Sequence, residues 1–386
     1  MAEKNNTNQA KKTLLDMNAS WPLLLVYLAY LIGIYFAQQS LASGLANYNS
    51  FAFVFLTLIL GILITFFVYN GAKILFARLS GYRVSFVKCF GLVGERINGK
   101  LKFRYDILSI LDVALSFAPV DDNLDRKPTR IFLGGFVGEI VLVAIGLLLY
   151  FPLKDSSSLV AVSALTAVLY GFIIPLYELM PFRQDYANDM FNLIMTRKAD
   201  DRKAYNMVKI NEVREFTGED FLVPDFQDYD SYYRVQTLPY LFLNQLYAND
   251  LEKAVETLGK MKYLDKDMPD DKKYFVDKEN VYLRFLTGDL DGANRIFLNI
   301  KSDYRKQIRS PYYLADFRVG LIACAFIARD KELLDSLFKD YGKLLKRLPA
   351  TGRVEKEKAL FNQVYEAIKK NDPNQYLPSL PEDKPA

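Results

Sequence analysis

Residues 66–91 read FFVYNGAKILFARLSGYRVSFVKCFG, in a chain of 386 residues that contains no histidine. The part up to Leu75 closes an apolar run that begins at Phe51. That run is long enough to cross a bilayer, which takes about 20 apolar residues. The part that follows, ARLSGYRV, is short and basic. Tyr69, Asn70 and Lys73 sit near the end of the apolar helix, with Lys73 close to its basic, cytoplasmic end.

Working outward, residues up to about 182 hold long apolar runs, and the rest is charged, aromatic and soluble in character. Four segments reach bilayer length, at about 21–42, 51–75, 131–153 and 159–182. Lys4, Lys11 and Lys12 mark the N-terminal tail, residues 1–20. The loop between the second and third runs carries Arg78, Arg83, Lys88, Arg96, Lys100, Lys102, Arg104, Arg126, Lys127 and Arg130. Excess Lys and Arg stay on the cytoplasmic side, so a four-span protein with both termini inside is expected. The first run follows a polar tail and exceeds a signal-peptide core in length, so it reads as an uncleaved span. Cys89 and Cys324 both fall on the cytoplasmic side, where a disulfide is not expected. A net charge of +4 suits membrane orientation and gives no reason to expect a nucleic-acid partner.

Residues 84–129 form a cytoplasmic insert. Within it GERINGKLKFR reads as a β-hairpin, because Asn98-Gly99 suits a tight turn between flanks that alternate charged and apolar residues. Either a small sheet lies on the membrane surface, or an exposed strand edge around Arg96, Asn98, Lys100 and Lys102 takes a partner strand. Beyond residue 199 a helix–turn–helix pattern recurs at roughly 40-residue intervals, close to the period of helical solenoids. Its turns fall at Asn249-Asp250, Gly288-Asp289 and Arg329-Asp330. Residues 199–371 therefore read as a tetratricopeptide-like helical domain. Its surface around Tyr232, Tyr233, Tyr240, Tyr247, Tyr282 and Tyr312 is the candidate docking face, with most of its aromatics expected in the core. The proline-rich residues 372–386 read as a disordered tail. The fold class is mainly α: a polytopic membrane domain over 21–198 with a small β insert, then helical repeats.

The order of these motifs resembles the site-2 protease family of intramembrane zinc metalloproteases. Tyr69, Asn70, Gly71, Ala72 and Lys73 stand where that family has His-Glu-x-x-His, and Ala77, Arg78, Leu79, Gly81 and Arg83 match the tail after it. GGFVGE, with Gly134, Gly135 and Glu139, resembles its Gly-Gly-Pro-x-x-Asn helix. YELMPFRQDYANDM resembles its Asn-x-x-Pro…Asp-Gly segment, retaining Pro181 and Asp189, with Glu178 at the asparagine and Met190 at the glycine. The soluble repeats resemble those of a bacterial, mainly Gram-positive, branch, which implies a cell-membrane location. The resemblance covers nearly the whole chain from residue 51.

What it implies is a protease scaffold without the protease. Such a site needs two histidines one turn apart for zinc and a glutamate as general base. Of the expected ligands only Asp189 remains, so neither catalytic residues nor a metal or other cofactor is expected. An oxygen site using Glu139, Glu178 or Asp185 would favour a harder cation. Without zinc, Asp189 needs another positive charge. Lys73 can supply it, with Tyr69 and Asn70 completing the hydrogen bonds and Glu139 or Glu178 as its next partner. The other reading has Lys73 snorkelling to the interface. The expected function is a pseudoprotease in the lipid bilayer that binds a peptide or membrane-protein partner. The alternatives are a metallopeptidase with an altered metal site and an accessory or immunity protein for a small secreted peptide.

Overall fold

The computed structural model describes residues 51–97, 100–105, 113–153, 187–264 and 270–381, except 310, 312 and 349, with parts of 25–36 and 168–181. The runs expected to span at 21–42 and 159–182 lie largely outside the described residues. The described chain is mostly helical, with one four-stranded sheet. It divides into two compact units, Met1–Val84 with Pro119–Arg202 and Ser85–Ala118 with Lys203–Ala386.

The first unit is built on two long helices, α1 (Phe51–Leu79) and α2 (Thr129–Leu153). Ile59–Leu79 and all of α2 are long and apolar enough to cross a membrane. Leu56, Leu60, Phe67, Ile140, Leu148 and Phe151 point outward and are exposed, as they would be toward lipid. Helix α1 ends where Gly81 takes a left-handed φ of 75°. Arg126 then donates from Nη1 to the carbonyl of Ser80 at 3.0 Å. A Cβ on Gly81 would sit 1.6 Å from that nitrogen, so conformation and space both require glycine there.

Helices α1 and α2 pack closely because α2 presents Gly134, Gly135 and Gly138 to α1. A Cβ on Gly135 would lie 2.4 Å from the ring of Tyr69, and one on Gly138 2.6 Å from Ala72 Cβ. Small residues at this spacing let helix backbones approach inside a bilayer. Gly135→Ala should therefore lower stability by about 1–3 kcal/mol through overpacking. Gly71, with nothing within 4 Å of its would-be Cβ, is the control. Thermal unfolding in detergent checks this, and equal effects of alanine at the two positions would refute the packing argument.

The sheet has the order β3-β2-β1-β4, from β1 (Tyr82–Cys89), β2 (Leu92–Ile97), β3 (Lys100–Tyr105) and β4 (Val113–Pro119). β1 and β2 run antiparallel through the two-residue turn Phe90-Gly91, with φ of 49° and 83°. Positive φ at both central residues suits the right-handed twist of a hairpin. β2 and β3 pair from Leu92↔Tyr105 to Ile97↔Lys100. That register leaves Asn98-Gly99, which lie outside the described residues, as the connection. The insert is thus a sheet of four strands where the sequence suggested one hairpin. Most of it groups with the C-terminal helices. Ser116 Oγ on β4, for example, donates to Glu212 Oε2 at 3.2 Å.

In the second unit, α5 (Ala199–Thr217) leads into α6 (Tyr232–Gln236), after the short helices α3 (Ile173–Leu179) and α4 (Asp189–Met195) of the first. Three helical hairpins follow. α7 (Leu238–Tyr247) pairs with α8 (Leu251–Tyr263), and α9 (Asp270–Leu286) with α10 (Leu290–Asn299). After α11 (Ser302–Arg309), α12 (Phe317–Leu321) continues as a π-helix over Ile322–Ala328 and turns into α13 (Lys331–Leu345). α14 (Gly352–Asn371) closes the unit.

All three turns use one device. Asn249, Gly288 and Arg329 take positive φ of 56°, 82° and 52° to end the first helix. The next residue, Asp250, Asp289 or Asp330, then caps the second by accepting the N–H of Lys253, Gly292 or Leu333. An aspartate N-cap satisfies a donor that the new helix would otherwise leave unpaired.

A charged network lies buried in this unit. Arg318 is fully buried and donates to Glu357 Oε2 and Glu279 Oε2, each at 2.8 Å. Tyr247 donates to Glu357, and Lys278 pairs with Asp316. Desolvation works against the Arg318 charge, but Glu279 and Glu357 together outweigh it and hold its proton more tightly than in a free arginine. The same burial, with the charge of Glu357 behind it, keeps the Tyr247 phenol neutral far above its usual range.

The tail is ordered as far as Pro381, against the expectation of disorder. Leu377 and Leu380 pack on the core, Tyr376 Oη donates to Asp335 Oδ1 at 2.7 Å, and Tyr365 Oη donates to the carbonyl of Pro378. Apolar residues spaced among the prolines give this segment something to bury, which offsets its ordering entropy.

Candidate functional site

The site lies in the first unit, where α1, α2, α3 and α4 bring their polar residues together. Tyr69 and Lys73 are one turn apart on α1 and so share a face. Asp189 is the first residue of α4, placed by its neighbour Asn188, which caps the helix by accepting the N–H of Phe191 at 3.0 Å. A carboxylate in that first turn faces the positive end of the helix.

Asp189 is buried and fully engaged. Lys73 Nζ donates to Oδ1 at 2.8 Å, and Tyr69 Oη donates to Oδ2 at 2.8 Å. The backbone N–H of Asp189 donates to Glu178 Oε2 at 2.6 Å. The side chains of Lys73 and Asp189 keep 12% and 6% of their exposure, so the pair is largely withdrawn from solvent. Lys73 Nζ also stands 5.5 Å from the centroid of the Tyr69 ring, which in turn meets Phe136 edge to face. Lys73 therefore points inward to the carboxylate, and the snorkelling alternative does not describe its side chain.

Two expectations need correction. Asn70 does not join the network; its amide donates back to the carbonyl of Phe66 at 2.9 Å. It is one residue beyond Tyr69 on the helix, so its side chain leaves α1 in another direction. Glu139 is 1% exposed, yet neither carboxylate oxygen has a hydrogen-bond partner among the described residues. It lies four residues after Gly135 on α2, against Tyr69, and makes no hydrogen bond to Lys73. Glu178 joins through the backbone of Asp189. Asp185 lies outside the described residues, and among those described no three acidic or thiol side chains gather as a metal site.

The partner-surface residues separate in the same way. Tyr240 and Tyr282 are 1% and 0% exposed, and Tyr232 and Tyr233 are also buried. They are core residues and form no docking surface. In stacked helical hairpins both flanks of a helix are covered, so an aromatic stripe is consumed by packing. Tyr247 is half-buried with its hydroxyl on Glu357. Lys100 and Lys102 are exposed on the edge strand β3. The Arg96 side chain, Asn98 and Tyr312 lie outside the described residues. Sequence reading missed Arg318, Glu279 and Glu357; the available signal was an arginine inside the apolar run FRVGLIACAFI.

No family model matches the chain, and comparison with curated proteins and with solved structures gives no match.

Proposed function

We propose that this is a catalytically inactive membrane protein built like a site-2 protease, which binds a peptide or membrane-protein partner as a scaffold or regulator. In this reading it has four spans and both termini in the cytoplasm. The carrying observation is the Lys73–Asp189 pair with Tyr69 on the second carboxylate oxygen. In the family it resembles, Asp189 would face a metal; here an ammonium and a phenol hold both of its oxygens. These residues do not fit zinc, since a protonated lysine repels a dication and neither Lys73 nor Asn70 replaces a histidine ligand or the general base. With hydrolysis set aside, binding remains for a chain that carries a large helical domain beside its membrane helices.

The full-length protein, purified in detergent, should hold no stoichiometric zinc by elemental analysis and should leave a transmembrane substrate uncut. One tightly held zinc per chain, lost in Asp189→Ala, would overturn the reading.

A further inference from the structure

We infer that the helical unit carries a receptor cleft for the free C-terminus of a peptide that ends in an apolar or aromatic residue. The cleft measures about 310 Å³ and lies between the end of α5, the segment leading into α12, and the end of α13. That volume is at the small end of ligand sites, room for one or two side chains. Leu314 and Phe317, almost fully buried, form its floor. Phe216 and Tyr313 form an aromatic wall, their rings 5.4 Å apart and tilted by 51°. Tyr313 keeps 37% of its exposure, so part of that wall is open.

The charges in the lining choose the ligand. Lys343 is held by Asp340 at 2.7 Å, and Glu215 is engaged in an interaction of its own. Arg347, exposed and one turn beyond Lys343, has no carboxylate partner among the described residues. An apolar slot with an uncommitted guanidinium in its lining complements an apolar side chain that carries a carboxylate. The last residue of a peptide is that group: its side chain fills the slot and its α-carboxylate takes two parallel hydrogen bonds from Arg347. The inference deepens the partner half of the proposed function and rests on it. It is independent of the state of the Lys73–Asp189 pair.

The test is calorimetric titration of the full-length protein in detergent with N-acetyl-Gly-Leu-Phe, as the free acid and as the C-terminal amide. The acid should bind about tenfold or more tightly than the amide, the value of one charge-assisted contact. Arg347→Gln should abolish that difference, while Tyr313→Ala should weaken both ligands. Both positions are solvent-accessible, and unchanged circular dichroism verifies the variants' folds. Octanoate, a carboxylate without a peptide, should bind more weakly than the acid. Equal binding of acid and amide, absence of binding at millimolar ligand, discrimination surviving in Arg347→Gln, or octanoate matching the peptide would each overturn the assignment. Such a failure would be read separately from the zinc and cleavage measurements.

Discussion

Arg318→Ala should cost the helical unit at least about 3–5 kcal/mol, the range for breaking a buried ion pair by removing one partner. The guanidinium is fully buried and serves Glu279 on α9 and Glu357 on α14 at once. Truncation leaves two buried carboxylates, of which Glu279 keeps Lys278 at 3.6 Å. A domain is stable by only about 5–15 kcal/mol in total, so the loss removes much of its margin. Denaturant unfolding of the full-length protein followed by circular dichroism measures it. Replacing all three charges together, as Arg318→Met with Glu279→Leu and Glu357→Leu, should recover most of the loss, because a buried ion network is often no better than an apolar one of similar volume. An Arg318→Ala variant within about 1 kcal/mol of the parent would show that the charges are hydrated after all.

Lys73→Ala should destabilise the membrane unit by a similar amount, about 3–5 kcal/mol, because Asp189 is then left buried and unpaired. Asp189→Asn alone strands Lys73 in the same way. The double variant should be more stable than the sum of the single losses predicts, with a coupling of about 0.5–3 kcal/mol. Tyr69→Phe removes one hydrogen bond to a charged group, a loss of about 1.5–3 kcal/mol. Thermal unfolding in detergent of the four proteins of the cycle gives the coupling. Simple additivity would mean that the 2.8 Å contact contributes nothing, and the proposed replacement of a metal by an ammonium would lose its energetic basis.

What could be read in the sequence was local. The turns at Asn249-Asp250, Gly288-Asp289 and Arg329-Asp330 were legible because a helix stop and an aspartate cap are decided by adjacent residues. The β2–β3 connection was legible from Asn98-Gly99 for the same reason. Lys73 and Asp189 are 116 positions apart. Only the resemblance of the surrounding motifs brought them together in sequence reading. Strand β4 was hidden in an apolar run whose periodicity does not separate strand from buried helix. Tyr240 and Tyr282 stood among docking candidates whose aromatics were expected mostly in the core, and helical spacing alone does not separate the two; Tyr282 lies fully buried with the Arg318 guanidinium 4.7 Å from its ring centroid. The Arg318 network joins residues 39 positions apart on either side, which no local pattern announces.

The second unit is assembled from two stretches of chain, Ser85–Ala118 and Lys203–Ala386. On the ribosome these stretches are not made together. At about 5–20 residues per second, synthesis of the intervening chain takes several seconds or more. During that time the four strands have emerged and most of their helical partners do not exist. Exposed edges such as β3, with Lys100 and Lys102 on it, must then resist pairing with other chains, and edge lysines serve that purpose.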